Sequence, residues 1–226
     1  SADSSAVDFG TVVGDYAVET DTIFSQLEGL SDFTITGWVN NRDNTEGGGG
    51  NRIVTWLNNG GDGAEVVYKA DGSLAMGINE WSDAGDNPRS SAGKITTDPS
   101  ANKGNWKYFA VSYESSTSTI KFYFGDTDSS AKLDVTQSYN RGVVGSNIAN
   151  LAIGHFNSAT RSGATDRMLR GLVDRIRIYS AVLRPSQIVF DQGLEQTPGS
   201  SITASAECKD DKVKVTWSVL SNLNVK

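Results

Sequence analysis

A chain of 226 residues has room for one large β domain and a fragment beyond it, and an apolar content of 37% is enough to fill its core. The formal charge of −7 argues against nucleic acid or an anionic membrane surface as the main partner, and no apolar run approaches the length that spans a bilayer. One cysteine, Cys208, excludes an intrachain disulfide, and with a single histidine the chain is a poor host for a zinc site or a histidine-based nucleophile triad.

The sequence opens on the polar run SADSSA, with no basic or apolar leader, as expected either of a chain after signal removal or of an arbitrary starting point. Residues 6–19 predict two short extended pieces around Gly10 and Gly14. Residues 33–40, FTITGWVN, predict a strand with Phe33, Ile35 and Val39 on one face and Thr34, Thr36, Trp38 and Asn40 on the other. NRDNTEGGGGN follows, a loop whose run of glycines disfavours any regular element. RIVTWL (52–57) and AEVVYK (64–69) read as strands joined by NNGGDG, and Asp71-Gly72 turns the chain into SLAMGI (73–78). Residues 79–104 are a long polar excursion of the kind that in compact domains is usually functional. WKYFAVSYE (106–114) and TIKFYFG (119–125) form the next hairpin, IANLAIGHF (148–156) a further strand, and NSATRSGATD a second polar loop.

Residues 168–188, MLRGLVDRIRIYSAVLRPSQI, predict a long strand, a tight turn and a short helix opening at Pro185. On strict alternation Leu172, Asp174, Ile176 and Ile178 share one face, and Val173, Arg175, Arg177 and Tyr179 the other. A carboxylate among core-facing aliphatic groups needs a cation, an arginine or several donors. Beyond the helix, 195–201 reads as a linker and 202–226 as a tail of two strands too short for its own core. That tail is either the start of a further module or a pair of strands that dock on another sheet. The expected organisation is thus a sandwich over 1–194, the linker and the tail. The abundance of short β-branched and aromatic runs, with 24 glycines against 4 prolines and no sustained helical period, predicts an all-β sandwich or barrel.

The order DFGTVVGDYAV, FTITGWVN, GNWKYFAVSYE, IKFYFGD, LAIGHF and GLVDRIRIYSAVLRPSQI resembles the laminin-G-like, concanavalin A-like lectin/glucanase domains over roughly residues 6–190. The last segment carries most of the resemblance, and the Trp-x-x-Phe-Ala-Val-x-Tyr strand the next share. The resemblance implies a jelly-roll sandwich of two antiparallel sheets, often a structural calcium ion, and binding of glycans or proteins at a loop rim or a concave face. The tail resembles the first two strands of a fibronectin type III module.

Functional candidates follow from this. Asp174 is the expected calcium ligand, completed by backbone carbonyls and by Asp8 or Asp15 of the N-terminal segment, since calcium takes about six to eight oxygens; the alternative is an Asp174 paired with an arginine or accepting backbone N–H bonds. Trp81 opens the long polar loop beside Asn79 and Glu80, where an indole can stack on a sugar ring while its neighbours bond the hydroxyls; the alternative is a loop anchor. Trp38 and Trp106 read as packing residues, Trp56 as core or concave face. Arg89, His155 and Arg161 lie in or beside the two polar loops and complete the expected ligand contacts. The strands FTITGWVN, RIVTWL, WKYFAVSYE and TIKFYFG carry only Glu114, at an end, so no carboxylate pair for glycoside hydrolysis is expected. The sequence reading is a non-catalytic, lectin-like module of a secreted or cell-surface protein, with a glycan or polysaccharide partner and neither nucleic acid nor membrane insertion. Its alternative is an adhesive subunit that assembles with other protein modules or copies of itself, by strand donation from the tail.

Overall fold

The computed structural model describes residues 6–10, 17–42, 51–59, 61–82, 89–95, 105–157 and 167–193, with the backbone of 201–209 and 212–220. The strands are β1 (Val7–Asp8), β2 (Val18–Glu19), β3 (Asp32–Asn41), β4 (Asn51–Thr55), β5 (Ala64–Tyr68), β6 (Leu74–Ile78) and β7 (Arg89–Ser90). They continue with β8 (Lys107–Glu114), β9 (Thr119–Asp126), β10 (Lys132–Ser138), β11 (Ala152–Ile153), β12 (Gly171–Tyr179), β13 (Ser201–Lys209) and β14 (Lys212–Leu220). A single α-helix among the described residues, α1, spans Pro185–Gln192. The strands form two antiparallel sheets of a jelly-roll sandwich. The larger runs β10-β9-β8-β3-β12-β13-β14 with β1 also on β12, and the smaller runs β2-β11-β4-β5-β6-β7.

The core lies between the sheets and follows the alternation of the sequence. Phe33, Ile35 and Val39 of β3 meet Val54, Val66 and Met76 of the smaller sheet, all fully buried. Phe33 packs edge-on to Trp56 at 6.0 Å and against Tyr113 at 5.8 Å. Trp56 is therefore core. Fully burying each such side chain contributes about 1.5–3 kcal/mol.

The alternation expected for β12 holds only in halves. Asp174 stands opposite Trp38 and Arg177 opposite Thr36, so Arg175 and Ile176 together face Gly37. This is a β-bulge, with Arg175 at φ 53°. It turns Val173, Ile176 and Ile178 into the core and leaves Leu172 and Asp174 on the outer face. Asp174 thus does not sit among core aliphatic groups. Gly37 is required at this crossing, because a Cβ there would lie 2.4 Å from Ile176 Cδ1.

The outer face of the larger sheet is covered by α1. Tyr108, Ala110, Tyr123, Tyr179, Leu183 and Ile188 pack there, and Trp38 meets Tyr108 at 5.5 Å. The helix is tied down by Asp191, which is 1% exposed. Tyr108 donates to Asp191 Oδ2 at 2.7 Å, Tyr179 to Oδ1 at 2.5 Å, and the Arg177 guanidinium to Oδ1 at 2.8 Å. Next to it, Gln192 donates to the carbonyls of Asp126 and Ser129, both at 2.8 Å.

Two departures from the sequence reading have simple causes. Strand β10 was not expected, because its mostly exposed residues show no apolar alternation. The strand expected over 148–156 shrinks to Ala152–Ile153, with the flanking backbone bonded singly to Trp56 and Ile53 carbonyls. The tail hairpin pairs with β12 of its own sandwich, through Arg177–Thr203, Ile178–Ile202 and Tyr179–Ser201.

Removing the Asp191 carboxylate takes an acceptor from Arg177, Tyr108 and Tyr179 at once. Asp191→Ala is expected to lower unfolding free energy by about 3–5 kcal/mol in denaturant melts; a loss below about 1 kcal/mol would refute the clamp. Burial raises Tyr68 to about 12, and burial with the Asp191 charge beside it pushes Tyr108 well above the ordinary tyrosine value. Burial does the same to Tyr139. The folded state keeps these protons while the unfolded chain loses them above pH about 10, so stability is full below that pH and falls above it. The expected slope is about 1.4 kcal/mol per pH unit for each tyrosine. Melting temperatures that stay flat from pH 9.5 to 11.5 would contradict this.

Candidate functional site

The outer face of the smaller sheet holds the most unusual chemistry of the domain. Pairing places Thr55, Glu65 and Gly77 in one outward row and Arg52, Val67 and Ala75 in the next. Arg52 and Glu65 are both completely buried. Arg52 Nε lies 3.1 Å from Glu65 Oε2, and a terminal guanidinium nitrogen donates to Oε1 at 3.3 Å. Oε1 also accepts the backbone N–H of Ser82 at 2.7 Å.

Two aromatic rings close over the pair. Arg52 stands 4.0 Å from the Phe156 ring centroid and 5.8 Å from that of Trp81, and the two rings meet edge to face at 5.1 Å. The chain reaches this position by folding back from the end of β6. Gly77 allows it, since a Cβ there would sit 2.4 Å from Glu80 O and 2.8 Å from Ser82 N.

The root of that fold-back is a polar knot. Asn79 adopts φ 52°. Its amide donates to Val143 O at 2.7 Å and Arg141 O at 3.1 Å and accepts from Gly145 N at 2.9 Å and Gly63 N at 3.3 Å. Arg141 donates to the carbonyls of Ile78 and Asn79 and lies 3.2 Å from Glu80, which also accepts from the Tyr139 hydroxyl at 3.0 Å.

The residues expected to meet a ligand separate on this geometry. Trp81 is partly exposed and forms part of the cover, so it is a loop anchor that still presents surface. Asn79 is partly exposed and has its amide engaged by four backbone groups of the fold. His155 is 1% exposed, with Nδ1 accepting the Phe156 N–H at 2.6 Å. Arg89 belongs to β7, opposite Met76, at the edge of the same sheet; its side chain lies outside the described residues, as does all of Arg161. Sequence reading missed Arg52 and Glu65. The available signal was an acid inside AEVVYK and a base opening RIVTWL, two charges in otherwise apolar strands.

The expected calcium ligands lie together at the edge of the larger sheet. Asp8 pairs opposite Leu172, which puts it on the same face as Asp174 and diagonal to it. Arg42 holds Asp8 through two bonds of 2.7 and 3.0 Å, and Asp8 also accepts Gly10 N–H at 2.7 Å. Arg175 Nε lies 3.5 Å from Asp174. Each carboxylate has a guanidinium beside it, whereas calcium takes about six to eight oxygens. No group of three His, Cys, Asp or Glu side chains gathers among the described residues. Among the described residues, which exclude Asp15, these two carboxylates alone supply fewer oxygens than the ion takes.

With this geometry in hand, the chain can be placed. It matches the family described as the concanavalin A-like lectin/glucanases superfamily over residues 13–189, and it belongs to that superfamily. No curated protein matches it in sequence. Its fold is similar to the heptameric SAP-like pentraxin of Limulus polyphemus, at 12% identity and TM-score 0.52 over 84% of each chain. It is similar also to the CBM40 of Ruminococcus gnavus IT-sialidase bound to alpha2,3 sialyllactose, at 13% identity and TM-score 0.53, covering 73% of this chain and 84% of that one. A leech intramolecular trans-sialidase complexed with 2,7-anhydro-Neu5Ac matches at 12% identity and TM-score 0.57, over 95% of this chain and 37% of that chain. At such identities the likeness is one of fold.

Breaking the buried pair is expected to be costly. Glu65→Ala removes the carboxylate from a completely buried Arg52 and should lower stability by about 3–5 kcal/mol in denaturant melts, and replacing both by apolar residues should recover much of it. Equal losses in the single and double variants would rule out charge pairing as the cause. At the Asp8–Asp174 edge, chelator is expected to leave the melting temperature unchanged. A fall that calcium restores, and that Asp174→Ala abolishes, would reinstate the ion.

Proposed function

We propose that this domain is a non-catalytic carbohydrate-binding module of a secreted or cell-surface protein. It would bind at the rim where the cover of the smaller sheet reaches solvent, with Trp81 as the central contact. The observation that carries this reading is the placement of Trp81: its ring is fixed by Phe156 and by the buried Arg52, yet part of it remains exposed. A rigid, partly exposed indole loses little freedom when a sugar stacks on it. Membership of the superfamily supports the reading, as does the likeness of fold to a module bound to a sialylated sugar. The non-catalytic character is supported by Glu65, whose two oxygens are both held inside the fold and cannot trade a proton with a substrate. No helix among the described residues is long and apolar enough to cross a membrane.

A glycan array followed by calorimetry tests this directly. Trp81→Ala is expected to lower affinity by tenfold or more, about 1.4 kcal/mol, while Trp81→Phe keeps most of it. Unchanged affinity in Trp81→Ala would remove that residue from the site.

A second reading, an assembling subunit, is favoured by one observation. Strands β13 and β14 pair with each other along nine residue pairs, but β13 meets β12 along three, and β14 ends the sheet. An edge of this kind can take a further strand. Removing residues 195–226 separates the two readings. The binding module is expected to keep its glycan affinity and its oligomeric state; loss of assembly with binding intact would favour the subunit.

A further inference from the structure

We infer that the ligand is the end of a glycan chain, recognised through its terminal one or two sugar units, and not a length of polysaccharide laid along a sheet. This rests on the carbohydrate-binding reading above and narrows its substrate class. A long polysaccharide needs an open trough across the strands, where successive sugars find successive side chains. The smaller sheet would have to supply it, and its outer face is closed. Arg52, Glu65, Val67 and Ala75 are completely buried on that face, and Thr55 is 1% exposed.

The closure is built in. The backbone of Glu80–Ser82 passes so near the sheet that only glycine fits at position 77. Ser82 N–H is bonded to Glu65, and Phe156 and Trp81 cover Arg52. Lifting this cover would expose the aromatic pair and leave a buried ion pair half solvated. Unlike a mobile loop that a ligand can push aside, it is held by charge, hydrogen bond and ring contact at once.

The larger sheet is occupied over β8, β9 and β12. Its outer face carries α1, fastened through Asp191 to Tyr108, Tyr179 and Arg177. Among the described residues of the cover, Asn79, Glu80 and Trp81 are partly exposed. A contact of that size suits one terminal sugar ring and its neighbour, and sugars further along the chain project into solvent without adding affinity.

The test is an array on which each terminal disaccharide is printed alone, as the end of a hexasaccharide, and as the same hexasaccharide with its non-reducing end O-methylated. The best set is then measured by calorimetry. The expected result is affinity for disaccharide and hexasaccharide equal to within about threefold, and a loss of tenfold or more on capping. Affinity that climbs tenfold or more from the disaccharide to the hexasaccharide, or that survives capping, overturns chain-end recognition and leaves carbohydrate binding standing. Absence of binding to every printed glycan overturns the carbohydrate reading and this inference with it.

Discussion

The constraint on which much of this structure depends is the ion pair between Arg52 and Glu65, two opposite charges with no exposure to solvent. Such a pair is costly to desolvate and is tolerated only where its remaining hydrogen-bonding capacity is met. Here a backbone N–H from Ser82 meets part of it, and that bond dictates where the chain must go after β6. The fold-back over Gly77, the position of Trp81 and the contact of Phe156 with the guanidinium all follow from keeping the pair covered. The pair gives little net stability against a well-packed apolar substitute. What it supplies is a unique course for the covering segment, because a slip of one residue would take the Ser82 N–H away from Glu65.

The other sheet solves a similar problem from the opposite direction. There a carboxylate from the helix, Asp191, reaches down onto the sheet and meets Arg177 and two tyrosine hydroxyls. In the smaller sheet the carboxylate belongs to the strand and reaches up to the cover. Both outer faces are therefore closed by a buried acid facing an arginine, although the covering elements are unrelated. Where the described outer faces are covered in this way, accessible surface is left to the rims and edges.

The fold was readable in the chain because its strongest signals are local. Phe33, Ile35 and Val39 alternate with polar neighbours, and the glycine-rich turns separate strands of ordinary length. The site was harder to read for reasons that are equally physical. Arg52 and Glu65 are 13 residues apart, and only the pairing of β4 with β5 makes them neighbours. Asp191 sits on a helix whose own pattern gives no hint that its acid points inward, and its partners come from β8 and β12. Asn79 and His155 read as ligand contacts because polar residues near loops usually face water. The fold uses the Asn79 amide to join three loop segments and buries His155 behind Phe156.

The bulge in β12 shows how one extra residue can change the meaning of a motif. By opposing Gly37 with both Arg175 and Ile176, it lets the strand keep aliphatic residues in the core on either side of the irregularity. The same step moves Asp174 from the core to the outer face, beside β1 and its Asp8. An acid in the core would demand a compensating cation, while one at a sheet edge can be met by a nearby side chain. Arg175 meets Asp174, and Arg42 meets Asp8 across to β1. The charge that first marked this strand as chemically unusual is thus balanced within the chain. The strand's role is architectural: its inner face builds the core, and its free edge is divided between β1 before the bulge and β13 after it.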